Sequence, residues 1–138
     1  MRVKFEAAAR GRFFGLHGRR GRSDGYEGWM YELEVPVEFY VPRCVTILFP
    51  EETPELPQVF VDGPESPHRF SDGALCMWLP WDPPSQRWYR RDGLTALVGH
   101  IAVHLFKESW WREYGEWLGD EVLHGPIERT ASRRGRRA

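Results

Sequence analysis

The stretch Pro67-His-Arg-Phe-Ser-Asp-Gly-Ala-Leu-Cys76-Met-Trp78 holds the residue types in this chain best suited to chemistry. Cys76 follows Gly73 by three residues and His68 by eight, inside an irregular segment, 62–89, punctuated by Gly63, Pro64, Pro67, Gly73, Pro80, Pro83 and Pro84. A nucleophilic thiol works from a partly exposed loop beside groups that favour the thiolate. His68 and Arg69 are the local candidates for that role. The same cysteine, flanked by Leu75 and Met77, equally suits a second reading as a small buried hydrophobe. Cys44 lies beside a run of apolar strand residues and reads as packing.

An irregular segment that long inside a compact domain is either functional or disordered. Phe70, Leu75, Met77, Trp78, Leu79, Trp81 and Trp88 are too apolar to be left in water, so an ordered loop pinned by aromatics is expected. The elements that must position it flank it on both sides. Trp29, Tyr31, Leu33 and Val35 alternate with polar residues as a strand does, Pro36 predicts a break, and a second strand runs to Phe49 through Val45 and Ile47. The prolines at 50, 54 and 57 forbid regular structure before a short third strand, 58–61. Asp92 is placed to cap a helix whose Leu94, Leu97, Val98, Ile101 and Leu105 form one apolar stripe, and which is expected to stop at Gly115. The expected fold class is α+β: a small antiparallel sheet of three or four strands packed on that helix, with the Cys76 loop over one edge.

The chain has 138 residues, a length that suits one domain. The predicted organisation is a basic segment over 1–25 (a short helix from Val3 to Phe14, then a Gly/Arg-rich loop), a domain over 26–128, and an Arg-rich mobile tail over 129–138. The net charge of −1 excludes a uniformly basic nucleic-acid binder, and solvated ends account for the local arginines. No apolar run approaches the length of a membrane span, and no apolar signal core follows the N-terminus; both predict a cytoplasmic protein with no membrane contact. His100 and His104 have metal-ligand spacing but flank the apolar stripe without the glutamate of a zinc-protease motif, so no metal is expected. Glu108, Trp110, Trp111, Glu113, Trp117 and His124 are expected to cluster, with the tryptophans facing core or partner.

The order of these motifs resembles the ubiquitin-conjugating enzyme (UBC-like) family. Strands ending in Phe49-Pro50, then Thr53-Pro54-Glu-Leu-Pro57, a strand, Pro67-His68, Asp72-Gly73-Ala-Leu-Cys76, Trp88 and an amphipathic helix follow the family's "YPxxPP", "HPN" and "DGxIC" succession over residues 29–106. The segments Pro67-His-Arg69, Leu75-Cys-Met-Trp78 and Glu116-Trp-Leu-Gly119 look like bacterial members associated with cyclic-oligonucleotide antiphage defence (CBASS) operons. The chain departs from the pattern where it matters for chemistry. Counting back from Cys76, Ser66, Pro67 and His68 occupy the His, Pro and Asn positions, and the chain contains no Asn to replace that amide.

The resemblance implies a transferase that holds an acyl group as a Cys76 thioester and passes it to an amine. It implies His68 as oxyanion or loop support, and a carboxylate or imidazole near the thiol, Asp82 or His124, to deprotonate the incoming amine. The implied partners are a ubiquitin-activating-like enzyme and, as acyl donor, a ubiquitin-like protein or the C-terminus of a cGAS-like nucleotidyltransferase. ATP is consumed by the activating enzyme, so no cofactor is expected; nor is nucleic acid. The alternative from a different class is a non-catalytic UBC-fold module that only binds protein.

Overall fold

The computed structural model describes residues 5, 6, 9, 11–23, 25–63, 66–70, 72–78 and 81–119. Four strands, β1 (His17–Ser23), β2 (Tyr26–Val37), β3 (Tyr40–Pro50) and β4 (Gln58–Val61), form one antiparallel sheet in sequence order, and one long helix, α1 (Gly93–Tyr114), lies across it. The architecture is α+β, an antiparallel sheet with one long helix; β2, β3, β4 and α1 are the elements that the alternation and the apolar stripe predict, and β1 is added to them.

Register explains why that face becomes the core. Tyr31 pairs with Ile47, Leu33 with Val45, Ile47 with Val59 and Val45 with Val61, so side chains two residues apart stack into one apolar surface. Leu94, Leu97, Val98, Ile101 and Leu105 of α1 cover it, each almost wholly buried. At one end Trp88 donates from Nε1 to the Gly93 carbonyl at 2.8 Å and packs edge or tilt against Phe5 and Phe49. At the other, Gly115 takes a left-handed φ of 80° and its N–H returns to the Trp111 carbonyl at 2.7 Å, which ends the helix where the sequence places its stop.

Three expectations are corrected. The segment read as a Gly/Arg loop is β1, because backbone pairing with β2 and ion pairs of Arg19 with Glu32, Arg20 with Glu51 and Arg22 with Glu27 replace the missing apolar period. Gly18 is required by contact with two aromatic rings. A Cβ on Gly18 would come within 2.6 Å of the Trp29 indole nitrogen. Pro36 does not break β2; the strand runs on to Val37 through a register irregularity, with the proline exposed. Asp92 does not cap α1 through its side chain. Its carboxylate instead accepts the Tyr89 N–H at 2.8 Å, closing the 3-10 turn Arg90–Asp92 that precedes the helix.

Phe5, Glu6 and Ala9 are helical, as predicted, but residues 11–14, expected to continue that helix to Phe14, form turns. The Arg-rich tail over 129–138 lies outside the described residues. Among the described residues no helix is long and apolar enough to cross a membrane.

Candidate active site

The Cys76 loop is built from backbone hydrogen bonds around a tight reversal. Gly73 N–H donates to the Phe70 carbonyl and Phe70 N–H to Ala74, both at 2.8 Å, while the Asp72 carboxylate accepts the Ala74 N–H at 3.0 Å. Gly73 has a φ of 91°, a conformation that explains a glycine after Asp72. Arg69 and Leu75 then pair as an isolated antiparallel bridge, Leu75 N–H donates to Val59 of β4 at 2.9 Å, and Cys76 N–H donates to the His68 carbonyl at 2.8 Å. Cys76 is thereby fixed just beyond the edge of the sheet, where the sequence places its loop.

A cleft of about 570 Å³ opens beside it. Cys76 and His68 contribute one wall and Asp82 another, and α1 supplies His100, His104 and Lys107. Ala96 and Gly99 keep the helix surface low there, and nothing would contact a Cβ on Gly99. After α1 ends, Trp117 packs against the His68 ring at a centroid distance of 4.4 Å and against His104 at 5.3 Å. Trp78 meets the His100 ring edge to face at 5.6 Å.

Electrostatics at this thiol run opposite to the expectation. Cys76 is 1% exposed, and burial, seconded by the Asp82 carboxylate, pushes its pKa up to about 12. Arg69 does not serve the thiol. Its guanidinium turns away to fork Glu108, with Nε and Nη2 each at 2.9 Å from a carboxylate oxygen, and Nη1 donates to the carbonyls of Val61 and Gly73. His68 is not an exposed loop residue either: it is 8% exposed and has a left-handed φ of 64°, a region that His tolerates better than most side chains. Burial lowers the His100 pKa, opposed by the Asp92 charge, so a neutral imidazole faces the cleft near neutral pH.

The site therefore unites Cys76, His68 and Asp82 from the sequence reading; His124 lies outside the described residues. It adds His100 and His104, whose spacing on one helical face was the available signal. Among the described residues no three His, Cys, Asp or Glu side chains are grouped as a metal would need. The predicted cluster near the end of the helix is divided. Glu108 is fully buried under the loop and Trp117 walls the cleft, while Glu113 accepts a 2.8 Å hydrogen bond from Tyr40 and Trp110 stacks on Tyr114. Cys44, expected as packing, is an exposed residue of β3.

No protein-family model matches the sequence, and no curated protein or solved structure matches it significantly. What the chain does has to be read from these residues and the motif resemblance.

Proposed function

We propose that the chain is an acyltransferase of the ubiquitin-conjugating type that holds its acyl group on Cys76 and acts in bacterial antiviral defence. The observation that carries the catalytic part of this reading is the placement of Cys76 on a cleft shared with three histidines and Asp82. The antiviral setting, the activating enzyme and the donor, a ubiquitin-like protein or a nucleotidyltransferase C-terminus, rest on the motif resemblance alone.

The chemistry follows from the thiol's environment. With a pKa near 12, roughly one thiol in 10⁵ is ionised at neutral pH, so the proton must leave as sulfur attacks. In loading, Cys76 Sγ bonds to the donor's C-terminal carbonyl carbon, held until then as a thioester on the activating enzyme; that enzyme's thiolate departs, and the Cys76 proton passes through an imidazole of the cleft to it. In discharge, an acceptor amine bonds to the same carbon, the C–S bond breaks, and the amine's proton is taken by an imidazole or Asp82 and returned to Cys76. A basic thiolate is a poor leaving group. The same burial that slows loading therefore favours retention of the acyl group until an amine arrives. His68 supports the loop through its carbonyl, which accepts the Cys76 N–H, and its ring stands at the cleft as a donor to the oxyanion.

The near-complete burial of the thiol specifically favours the second reading, a non-catalytic binding module. Intact-mass analysis after incubation with ATP, an activating enzyme encoded in the same operon and its donor separates the two. The transferase gives a thiol-labile adduct that persists in Cys44→Ala and disappears in Cys76→Ala. A wild-type protein that gains no mass, or an adduct that survives Cys76→Ala, overturns it.

A further inference from the structure

Glu108 is 0% exposed, carries a charge and touches neither the cleft nor solvent. Burial raises its pKa, but hydrogen bonds from Arg69 and Ser66 and the charges of Arg69 and Arg112 outweigh that, and the net shift is downward. The carboxylate is thus ionised, and it is held by groups from separate parts of the fold. Ser66 and Arg69 come from the loop, Arg112 lies one turn along α1 at 3.3 Å, and Arg43 reaches over from β3 at 3.9 Å. Buried ion pairs of this kind add little net stability, because desolvation offsets most of the attraction. Their geometry is another matter, since a forked guanidinium fixes both distance and plane.

Arg69 is the residue through which that geometry reaches the thiol. It is the bridge partner of Leu75, next to Cys76, and it follows His68, whose carbonyl takes the Cys76 N–H. Its remaining nitrogen binds the end of β4 at Val61 and the reversal at Gly73. Glu108 stands on the same helix that brings His100, His104 and Lys107 to the cleft. One fork therefore fixes the loop bearing the sulfur relative to the helix bearing the imidazoles.

We propose that Glu108 and Arg69 act as a positioning pair that sets the depth and orientation of the Cys76 thiol against the α1 wall of its cleft. The inference takes Cys76 as the working thiol, as the proposed function does, yet its test does not require acyl transfer. The charged and titratable groups around the thiol, His68, Asp82, His100, His104 and Lys107, stay unchanged in every variant used.

The measurement is the rate of Cys76 alkylation by iodoacetamide against pH in a Cys44→Ala background, beside the melting temperature of each protein. Arg69→Lys keeps the charge but loses the fork. It is expected to admit water to the loop, move the reactivity midpoint from about 12 towards the ordinary thiol value of 9, and raise alkylation at pH 8 at least tenfold. Glu108→Gln, which keeps the shape but not the charge, moves it the same way. Ser66→Ala removes one hydrogen bond to Glu108, gives a shift of a few fold, and serves as the deciding variant should the other two fail to fold. A folded Arg69→Lys or Glu108→Gln protein with the parent profile overturns the positioning role even if its melting temperature falls, as does an unmoved Ser66→Ala profile when neither of those folds. If the profiles move but the wild type never gains an acyl group, the pair stands and the transferase reading falls. If the wild type loads and the profiles do not move, the reverse holds.

Discussion

The sheet–helix core and the Cys76 loop are adjacent, yet different forces hold them. Between β2, β3, β4 and α1 the binding surface is apolar and spread over many residues, with Ile47, Leu94, Leu97, Ile101 and Leu105 wholly buried. Among the described residues from Ser66 to Trp78, Leu75 is the one wholly buried in that surface, and the Ser66 and Arg69 side chains of the loop are tied to α1 through the Glu108 carboxylate. Distributed apolar packing tolerates small errors in position, whereas a fork of hydrogen bonds does not. A fold that must keep a thiol at a set depth gains from holding the two regions by different means.

The largest effect expected is at the carboxylate. Glu108→Ala leaves the partly buried Arg69 and Arg112 without this carboxylate and should destabilise by about 3–5 kcal/mol, comparable to the roughly 2–5 kcal/mol for a cavity made by Leu97→Ala. Urea unfolding gives both numbers, and thiol alkylation separates the regions: Leu97→Ala should leave Cys76 as unreactive as before, and Glu108→Ala should not. Equal thiol exposure in the two variants would erase the contrast.

Alkaline pH probes the loop from the side of the thiol. Its folded pKa, about 12, lies above the unfolded value of 9, so protonated Cys76 stabilises the fold fully below pH 9 and that contribution is lost as pH rises from 9 through 12. Tyr40, raised to about 12 chiefly by its hydrogen bond to Glu113, acts in the same direction from a half-buried position at the start of β3. Cys76→Ala should flatten the fall of the urea midpoint between pH 8 and 11, and Tyr40→Phe should change it only slightly. An unaltered alkaline limb in Cys76→Ala would show that the thiol is not held in apolar surroundings.

The core was legible in the sequence because its periods are the periods of its elements. Trp29 to Val35, Val45 to Phe49 and the Leu94 to Leu105 stripe carry their partners' geometry in their spacing. Strand β1 was not, since an edge strand of Arg and Gly shows no apolar alternation, and its identity depends on the acids of β2 and on Glu51, just beyond β3. The candidate site was legible at Cys76, His68 and Asp82 but not in its electrostatics. Local neighbours suggested that Arg69 would favour the thiolate, whereas a charge 39 residues away takes the guanidinium instead. Long-range pairing of that kind leaves no local pattern.

A smaller effect tests how strained the loop is. At a φ of 64°, His68 stores conformational energy that glycine would not. Both His68→Ala and His68→Gly lose the ring packed on Trp117, but alanine also keeps the strained backbone. His68→Gly is therefore expected to be more stable than His68→Ala by about 1 kcal/mol. Chemical denaturation of the two variants measures the difference, and a more stable alanine variant would mean that the left-handed turn is not retained in solution.

The smallest effect is at the cleft wall and separates it from the network beneath. Burial lowers the folded His100 pKa below the unfolded 6.5, so the unfolded chain takes up this proton more readily than the folded one. Stability supplied by neutral His100 is thus complete above pH 6.5 and declines as pH falls from 6.5 through the folded pKa. Glu108 adds a second decline at lower pH. Its folded pKa is depressed below the unfolded 4.5, so its contribution is present above 4.5 and lost as pH falls through the folded value. Urea midpoints measured from pH 7 to pH 3 should fall in two stages. His100→Gln should weaken the upper stage and leave the lower one, while Glu108→Gln should remove the lower stage and leave the upper. If either substitution abolished both stages, the cleft histidine and the buried carboxylate would be titrating as one unit, and the wall of the cleft would be held by the same network that holds the loop.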